Sequence, residues 1–294
     1  MRATSTLLYA PAYPTGHRGC RIRSRMIQGN QGMFAVRNFV RNYVRSFARA
    51  CIVLLLGKES KPRRILSGLA RGCRICVSPA DNLSYLLGTN EPHLQKAIRH
   101  YVVAGDTVYD IGANIGYVSL SLAERVGPHG SVIAFEPIPQ NIAAFRNNVE
   151  INGITNVQLL ECAASDNTDH ALIRVAENPS TASLVWHRNN SSATELSVRI
   201  VSLDDLVENG ELAHPKFVKI DVEGAEASVL RGMRRTLAAA WPVLFVECSE
   251  AGREQAWHLL TSLHYRCESA ITRRGISTLE EYRHSDFLWL PNQS

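Results

Sequence analysis

The sequence predicts an α/β protein with a mostly parallel sheet and helices on both faces. From about residue 101, short apolar runs typical of buried strands alternate with stretches whose apolar residues recur every three or four positions, as in helices. Acidic residues follow several of the predicted strands. Because such sheets bind ligands at the carboxyl ends of their strands, the same alternation predicts where a site would lie.

The predicted elements follow one another along the chain. The first strand is Thr107–Ile111, and the helix Tyr117–Val126 places Val118, Leu122 and Val126 on one face. The other predicted strands lie at 131–135, 157–162, 217–221, 243–247, 265–268 and 287–290, and the other predicted helices at 139–153, 225–237 and 254–263. Residues 168–202 interrupt this alternation with short strands and polar turns, which predicts an inserted β-ribbon.

Basic residues are concentrated near the N-terminus. Residues 1–75 contain 15 Lys and Arg and one acid, Glu59, whereas residues 76–294 contain 17 bases and 26 acids. Residues 1–32 carry Pro and Gly without apolar periodicity, so we expect them to be disordered. Residues 33–65 are predicted to form a basic amphipathic helix and a linker, leaving 66–294 as the main domain.

The basic helix has two interpretations. Its segment 36–55 would suit an anionic membrane surface, or its apolar face would pack on the domain. We expect no nucleic-acid partner, because no recognition module accompanies the basic residues. The longest apolar run, 237–246, has ten residues and is too short to span a membrane, which takes about 20.

The sequence favours a cytoplasmic protein, with or without peripheral membrane contact. No sustained apolar segment typical of a secretory signal occurs at the N-terminus. The seven cysteines are odd in number and scattered, which favours reduced thiols. Cys73 and Cys76 form a lone C-x-x-C without a second ligand pair, so we interpret them as structural.

The first chemical motif joins a strand to a helix through a glycine-containing turn. It contains Asp110, Gly112, Asn114 and Gly116. A dinucleotide-binding G-x-G-x-x-G would need glycine at position 114, which is Asn here. The pattern suits a ligand with an amino-acid end, because Asp110 would hold an ammonium group and the amides at the helix start would hold a carboxylate.

Further motifs follow the next strands. Glu136, 20 residues past Gly116, is placed to accept hydrogen bonds from both hydroxyls of a ribose. The small residues around Ala163 would leave room for a flat ring. Asp221 and Glu223 follow a later strand and would serve as a base, as metal ligands or as hydrogen-bond acceptors.

Together these motifs resemble the FkbM family of S-adenosylmethionine-dependent methyltransferases. The resemblance runs from about residue 83 to residue 247. It rests on Asp110-Ile-Gly-Ala-Asn-Ile-Gly116, Phe135-Glu-Pro137 with Asn141 and Asn148, Lys219-Ile-Asp-Val-Glu-Gly-Ala-Glu226, Glu91-Pro92 and Ser202-Leu-Asp-Asp-Leu206.

The resemblance implies a class I methyltransferase fold, Rossmann-like, with seven strands of which the last is antiparallel. It also implies O-methylation of a sugar or a natural product. Asp110, Gly112, Asn114 and Gly116 would then hold the methionine part of the donor. Glu136 would hold the ribose, the Ala163 backbone the adenine edge, and Asp221 would lie near the methyl group.

Removal of the acceptor's proton calls for a base or a metal. Asp221, Glu223 and His93 are the candidate bases, and the sequence leaves the use of a divalent metal undecided. A non-catalytic cofactor-binding protein and an NAD-dependent dehydrogenase are the alternative functions. Oligomeric state and the identity of the acceptor are not predicted. The inserted ribbon, with Trp186, would either shape the acceptor pocket or be a surface ribbon without contact to the acceptor.

Overall fold

The computed structural model describes residues 52–175, 194–281 and 285–292. The chain divides into two units, residues 1–56 and 57–294. Of the first unit only the helical residues 52–56 are described, so the predicted disorder and most of the basic helix lie outside the described residues. Within those residues, the helices are too short or too polar to span a bilayer.

The second unit contains thirteen described strands and eight helices. The strands are β1 (Lys61–Arg64), β2 (Arg74–Val77), β3 (Thr107–Ile111), β4 (Ser131–Phe135), β5 (Val157–Leu160), β6 (Ala163–Ser165), β7 (Asp169–Val175), β8 (Thr194–Ser202), β9 (Phe217–Ile220), β10 (Val243–Glu247), β11 (Tyr265–Ser269), β12 (Gly275–Ile276) and β13 (Asp286–Pro291). The helices are α1 (Pro79–Leu87), α2 (Pro92–Tyr101), α3 (Tyr117–Val126), α4 (Pro139–Glu150), α5 (Leu203–Glu208), α6 (Glu226–Arg231), α7 (Arg234–Ala240) and α8 (Glu250–Ser262).

Eight of these strands form one sheet in the order β12-β11-β13-β10-β9-β3-β4-β5. Strands β10, β9, β3, β4 and β5 pair in parallel, whereas β13 is antiparallel to both β10 and β11. The predicted mostly parallel α/β fold with an antiparallel last strand is therefore confirmed. The sheet has eight strands rather than seven, because the two-residue β12 pairs with β11 at the edge.

The central strands bury side chains on both faces of the sheet. On β3, Tyr109 and Ile111 belong to one apolar cluster, whereas Val108 belongs to another. The same alternation continues on β9, where Val218 lies with the first cluster and Phe217 with the second. Burial on two faces explains why these strands read as continuous apolar runs.

The single helix predicted at 225–237 is wrong, because the chain breaks it into α6 and α7 near Gly232. The Gly232 carbonyl accepts hydrogen bonds from Asp204 N at 2.7 Å and from Ser202 Oγ at 3.2 Å. A Cβ at Gly232 would also lie 1.8 Å from the Ser165 carbonyl oxygen. Contacts from residues distant in sequence therefore decide where the helix ends.

The interrupted region contributes to a second, three-stranded sheet in the order β6-β8-β7. Strands β7 and β8 pair antiparallel, and β6 pairs with β8 in parallel. The part of the predicted ribbon at 176–193 lies outside the described residues. Ile173, Val198 and Ile200 pack with Ile138, so this small sheet closes over the start of α4.

A hairpin of β1 and β2 contains the C-x-x-C pair. The Cys73 thiol donates to Glu124 Oε1 at 3.6 Å, and the Cys76 backbone N–H donates to Asn148 Oδ1 at 2.8 Å. The Asn148 amide in turn donates to the Ile115 carbonyl at 2.8 Å. The hairpin is thereby tied to the turn that follows β3.

Candidate functional site

A cavity opens where β3, β4 and β9 end. Its wall brings together six of the residues predicted from the sequence, which are Gly112, Asn114, Glu136, Ala163, Asp221 and Glu223. Five of these residues follow parallel strands that end at the same edge of the central sheet, whereas Ala163 lies on β6 of a separate three-stranded sheet.

The turn after β3 is held closely against its neighbours. Gly112 has φ 77°, and a Cβ there would lie 1.9 Å from the Asp221 carbonyl oxygen. The Gly112 and Ala113 N–H groups both donate to the Phe135 carbonyl, at 3.0 and 2.9 Å. Asn114 has φ 51° and donates its N–H to Glu136 Oε2 at 2.9 Å. The turn is thus fixed to the ends of β4 and β9.

Glu136 is a buried carboxylate with three donors from the protein. Besides Asn114, the Ile138 N–H donates to Oε1 at 3.0 Å and Asn141 Nδ2 donates to Oε1 at 3.1 Å. Burial raises the pKa of Glu136, and these hydrogen bonds counteract part of that rise. A carboxylate offers about four acceptor positions, so Oε2 retains capacity for a ligand hydroxyl.

Asp110, Gly116 and His93 are not part of the cavity wall. Asp110 is fully buried, and its Oδ2 accepts from Ser119 Oγ at 2.6 Å. Gly116 has φ 89° and faces Phe145, whose Cδ2 would lie 2.9 Å from an added Cβ. Among the described residues, the buried Nδ1 of His93 has no hydrogen-bond partner. Contact of these three residues with a methyl donor or a methyl acceptor stays a prediction.

Acidic side chains cluster where β9 and β10 end. Glu223 has φ 51°, and its pKa is raised by burial and then by Asp221 and Glu226. Burial also raises the pKa of Glu91, with Asp221 the next contribution. Glu247 has its pKa raised to about 8, by burial first and then by Asp221 and Glu91. Glu91, Glu223 and Glu247 therefore each bind a proton more tightly than a carboxylate in water does.

We expect stability to fall with rising pH through Glu247. Its pKa rises from 4.5 unfolded to about 8 folded, so the folded chain binds the proton more tightly. This contribution is present below about pH 4.5 and is lost as the pH rises to about 8. Glu247→Gln should therefore gain stability over the wild type between these limits, by about 1–2 kcal/mol after screening.

Thermal unfolding from pH 5 to pH 9 measures this difference. The exposed Glu211→Gln serves as the control and should follow the wild type at every pH. Parallel curves for Glu247→Gln and the wild type would contradict a raised pKa at Glu247.

Sequence reasoning did not assign Lys219 to the site or the apolar wall to the cavity. Lys219 lies behind the wall, within 3.4 Å of both Asp110 Oδ1 and Asp221 Oδ2. The sequence feature that could have identified Lys219 is its position in an apolar strand, two residues before an acid. The apolar wall includes Ile138, Ile173 and Ile200. The small sheet thus lines the same cavity as Glu136, while Trp186 of the inserted ribbon lies outside the described residues.

The described side chains can also be compared with the arrangement that a metal ion needs. Within the described ranges, no group of three or more His, Cys, Asp or Glu side chains is arranged to hold a metal ion. The acidic edge offers hydrogen-bond acceptors and bases.

A family model described as the methyltransferase FkbM domain matches residues 110–276, more than half of the chain. The chain belongs to the FkbM methyltransferase family. The match begins at Asp110 and includes Glu136, Ala163, Asp221 and Glu223. The family resemblance expected from the motifs is therefore confirmed.

Two curated relatives have names that state what they act on. Hexuronic acid methyltransferase AglP of Haloferax volcanii is 30% identical over 132 residues, covering 45% of this chain and 52% of the relative. The 31-O-demethyl-FK506 methyltransferase FkbM of Streptomyces tacrolimicus is 28% identical over 166 residues, covering 47% and 62%. The chain spans between about half and three fifths of the length of these relatives.

A solved FkbM structure also matches. Methyltransferase FkbM from Methylobacillus flagellatus KT aligns with a TM-score of 0.42 and 19% identity, covering 72% of this chain and 53% of that one. An overlap of this size supports no inference about the site. The fold assignment rests on the strand order and pairing described above.

Proposed function

We propose that this FkbM-family chain transfers a methyl group from S-adenosylmethionine to a hydroxyl of a sugar or a natural product. The observation that carries the proposal is the cavity in which the Gly112 turn, Glu136 and Asp221 meet. The names of the two relatives support the acceptor class, since one methylates a hexuronic acid and the other acts on 31-O-demethyl-FK506.

The cavity has groups suited to each part of the donor. The turn from Gly112 to Asn114 would bind the methionine part, with the start of α3 supplying positive dipole for a carboxylate. The remaining acceptor capacity of Glu136 would bind a ribose hydroxyl. Ala163 lies on β6 beside apolar Ile138 and Ile173, a surface suited to a flat adenine ring.

Acidic side chains at this edge of the sheet would accept the proton from the hydroxyl of the methyl acceptor. The donor supplies an electrophilic methyl group, and Asp221 and Glu223 would orient an acceptor hydroxyl and take up its proton. Both line the cavity, and Asp221 is one-third exposed. Glu247, outside the cavity wall, has its pKa raised to about 8 and is therefore mostly protonated at neutral pH, so it would donate a proton there and not accept one. His93 remains a candidate by sequence position alone.

The proposal also includes the cellular location of the protein and the molecules that it binds. The acceptor is a small molecule or saccharide, and no nucleic acid takes part. The activity is placed in the cytoplasm, where contact of residues 36–55 with an anionic membrane surface would suit a lipid-linked acceptor.

Calorimetry with S-adenosylhomocysteine, S-adenosylmethionine and NAD tests the donor. We expect micromolar binding of the first two ligands and none of NAD. Binding of NAD in their place would support the dehydrogenase alternative and overturn the proposal. As a control, Asn209→Ala, a variant at an exposed position, should bind S-adenosylhomocysteine with wild-type affinity.

Transfer of labelled methyl to acceptors tests the chemistry. Hexuronic acids and macrolide alcohols are the first panel, with product mass increased by one methyl group. Asp221→Asn and Glu223→Gln should each lower turnover by about 100-fold if the residue is the base, with donor affinity kept within about threefold. Donor binding without transfer to saccharide or metabolite extracts would favour the non-catalytic alternative.

A further inference from the structure

Lys219 is a charged residue within an apolar strand. Its side chain is 4% exposed, and on β9 it pairs with Asp110 of β3. Because residues two apart on a strand point to the same face, Lys219 and Asp221 lie on one side of the sheet. The strand geometry therefore places one ammonium group between two carboxylates.

The Lys219 ammonium contacts four oxygen atoms. Its Nζ donates to the Gly112 carbonyl at 2.7 Å and to the Ile111 carbonyl at 3.3 Å. It also lies 3.4 Å from Asp110 Oδ1 and 3.4 Å from Asp221 Oδ2. A single side chain thus links the turn after β3 to the carboxylate that follows β9.

We propose that Lys219 is a positioning residue that fixes the Gly112 turn and the Asp221 carboxylate in the arrangement used by donor and acceptor. This inference rests on the proposed function. Lys219 acts through its contacts, since it lies behind the cavity wall and is not part of it. Two carbonyl oxygens and two carboxylates fix the ammonium from different sides, so movement of the turn would break several contacts together.

The ammonium stays charged in this position. Burial alone lowers the pKa of Lys219, but the carboxylates of Asp221 and Asp110 outweigh burial and raise the pKa above its ordinary value. A neutral side chain of similar length would leave the Gly112 carbonyl without its 2.7 Å donor. It would also leave buried Asp110 without its cation, which is costly.

A purely structural role makes a different prediction. If Lys219 only neutralises buried Asp110, removal of both charges together should leave the turn no looser than removal of the Asp110 charge alone. If Lys219 positions the turn and Asp221, the double variant Lys219→Met/Asp110→Asn should fold but keep a loosened turn. The double variant also avoids the unpaired buried charge that would make Lys219→Met alone prone to unfolding.

The experiment compares hydrogen exchange and donor affinity in the full chain. Relative to Asp110→Asn alone, which removes the same carboxylate but keeps Lys219, we expect amides 111–116 of the double variant to exchange at least about tenfold faster. We also expect S-adenosylhomocysteine to bind the double variant at least about tenfold more weakly than it binds Asp110→Asn. Lys216→Met, at an exposed lysine just before β9, is the matched control and should change neither value.

Exchange at residues 111–116, or donor affinity, that is the same in the folded double variant as in Asp110→Asn would overturn the proposal. If the wild-type chain itself binds no S-adenosylhomocysteine, the proposed function fails. The exchange comparison still decides whether Lys219 holds the turn, because it is measured without ligand.

Discussion

Replacing Gly112 with alanine is expected to destabilise the folded chain by about 2–4 kcal/mol and to remove donor binding. Two effects combine at this position. The backbone has φ 77°, which disfavours any side chain, and the new Cβ would lie 1.9 Å from the Asp221 carbonyl oxygen. Because that oxygen belongs to the backbone that follows β9, relief of the clash requires the turn or the strand end to move.

Gly105→Ala is the matched control for this prediction. Gly105 also has positive φ, at 88°, but nothing lies within 4 Å of an added Cβ. We expect Gly105→Ala to cost about 1 kcal/mol and to leave donor affinity unchanged, since only the backbone effect remains. Chemical denaturation and calorimetry measure both variants. Equal losses of stability would show that the approach to Asp221 is unimportant.

The sequence predicts the central sheet well for a physical reason. Strands such as Thr107–Ile111 and Ser131–Phe135 are buried on both faces, so their apolar runs are set by the local sequence and end where polar turns begin. The single helix predicted at 225–237, which the structure divides into two, shows the limit of prediction from local patterns. Its break at Gly232 depends on the Ser165 carbonyl, 67 positions earlier, which no local pattern records.

The candidate site shows the same difference between residues whose position follows from the local sequence and residues whose position depends on distant contacts. Glu136 and Asp221 are identifiable because the strand pattern alone places them at one edge of the sheet. The placement of Asp110 is not, because its contact with Ser119 on the following helix draws the carboxylate into the interior. Likewise, the role of Lys219 depends on four contacts made across two strands and a turn, and the sequence shows only a lysine near an acid.

Glu136→Gln is expected to weaken S-adenosylhomocysteine binding by about 30- to 150-fold, the equivalent of about 2–3 kcal/mol. Glutamine has nearly the same shape, so the effect reports on hydrogen bonding. Both carboxylate oxygens already accept from the protein, Oε2 from Asn114 N–H and Oε1 from Ile138 N–H and Asn141. Whichever way the amide turns, its NH₂ group meets another donor.

The consequence reaches the ligand through the turn. If the NH₂ group takes the Oε2 position, the Asn114 N–H loses its acceptor. The ribose hydroxyl then also loses its charged acceptor, the carboxylate oxygen. If it takes the Oε1 position, the start of α4 at Ile138 is left without its acceptor. Stability should therefore also fall, by about 1–3 kcal/mol.

Glu161→Gln separates these effects from a general loss of charge. Glu161 follows β5, the strand beside β4, and its carboxylate pairs with Arg146 at the surface. Because Glu161 is outside the cavity wall, its variant should bind S-adenosylhomocysteine with wild-type affinity. Calorimetry well below the unfolding temperature compares all three proteins. If Glu136→Gln bound the ligand within about threefold of the wild type, the carboxylate would not be holding the ribose, because a charged hydrogen bond contributes more than that factor.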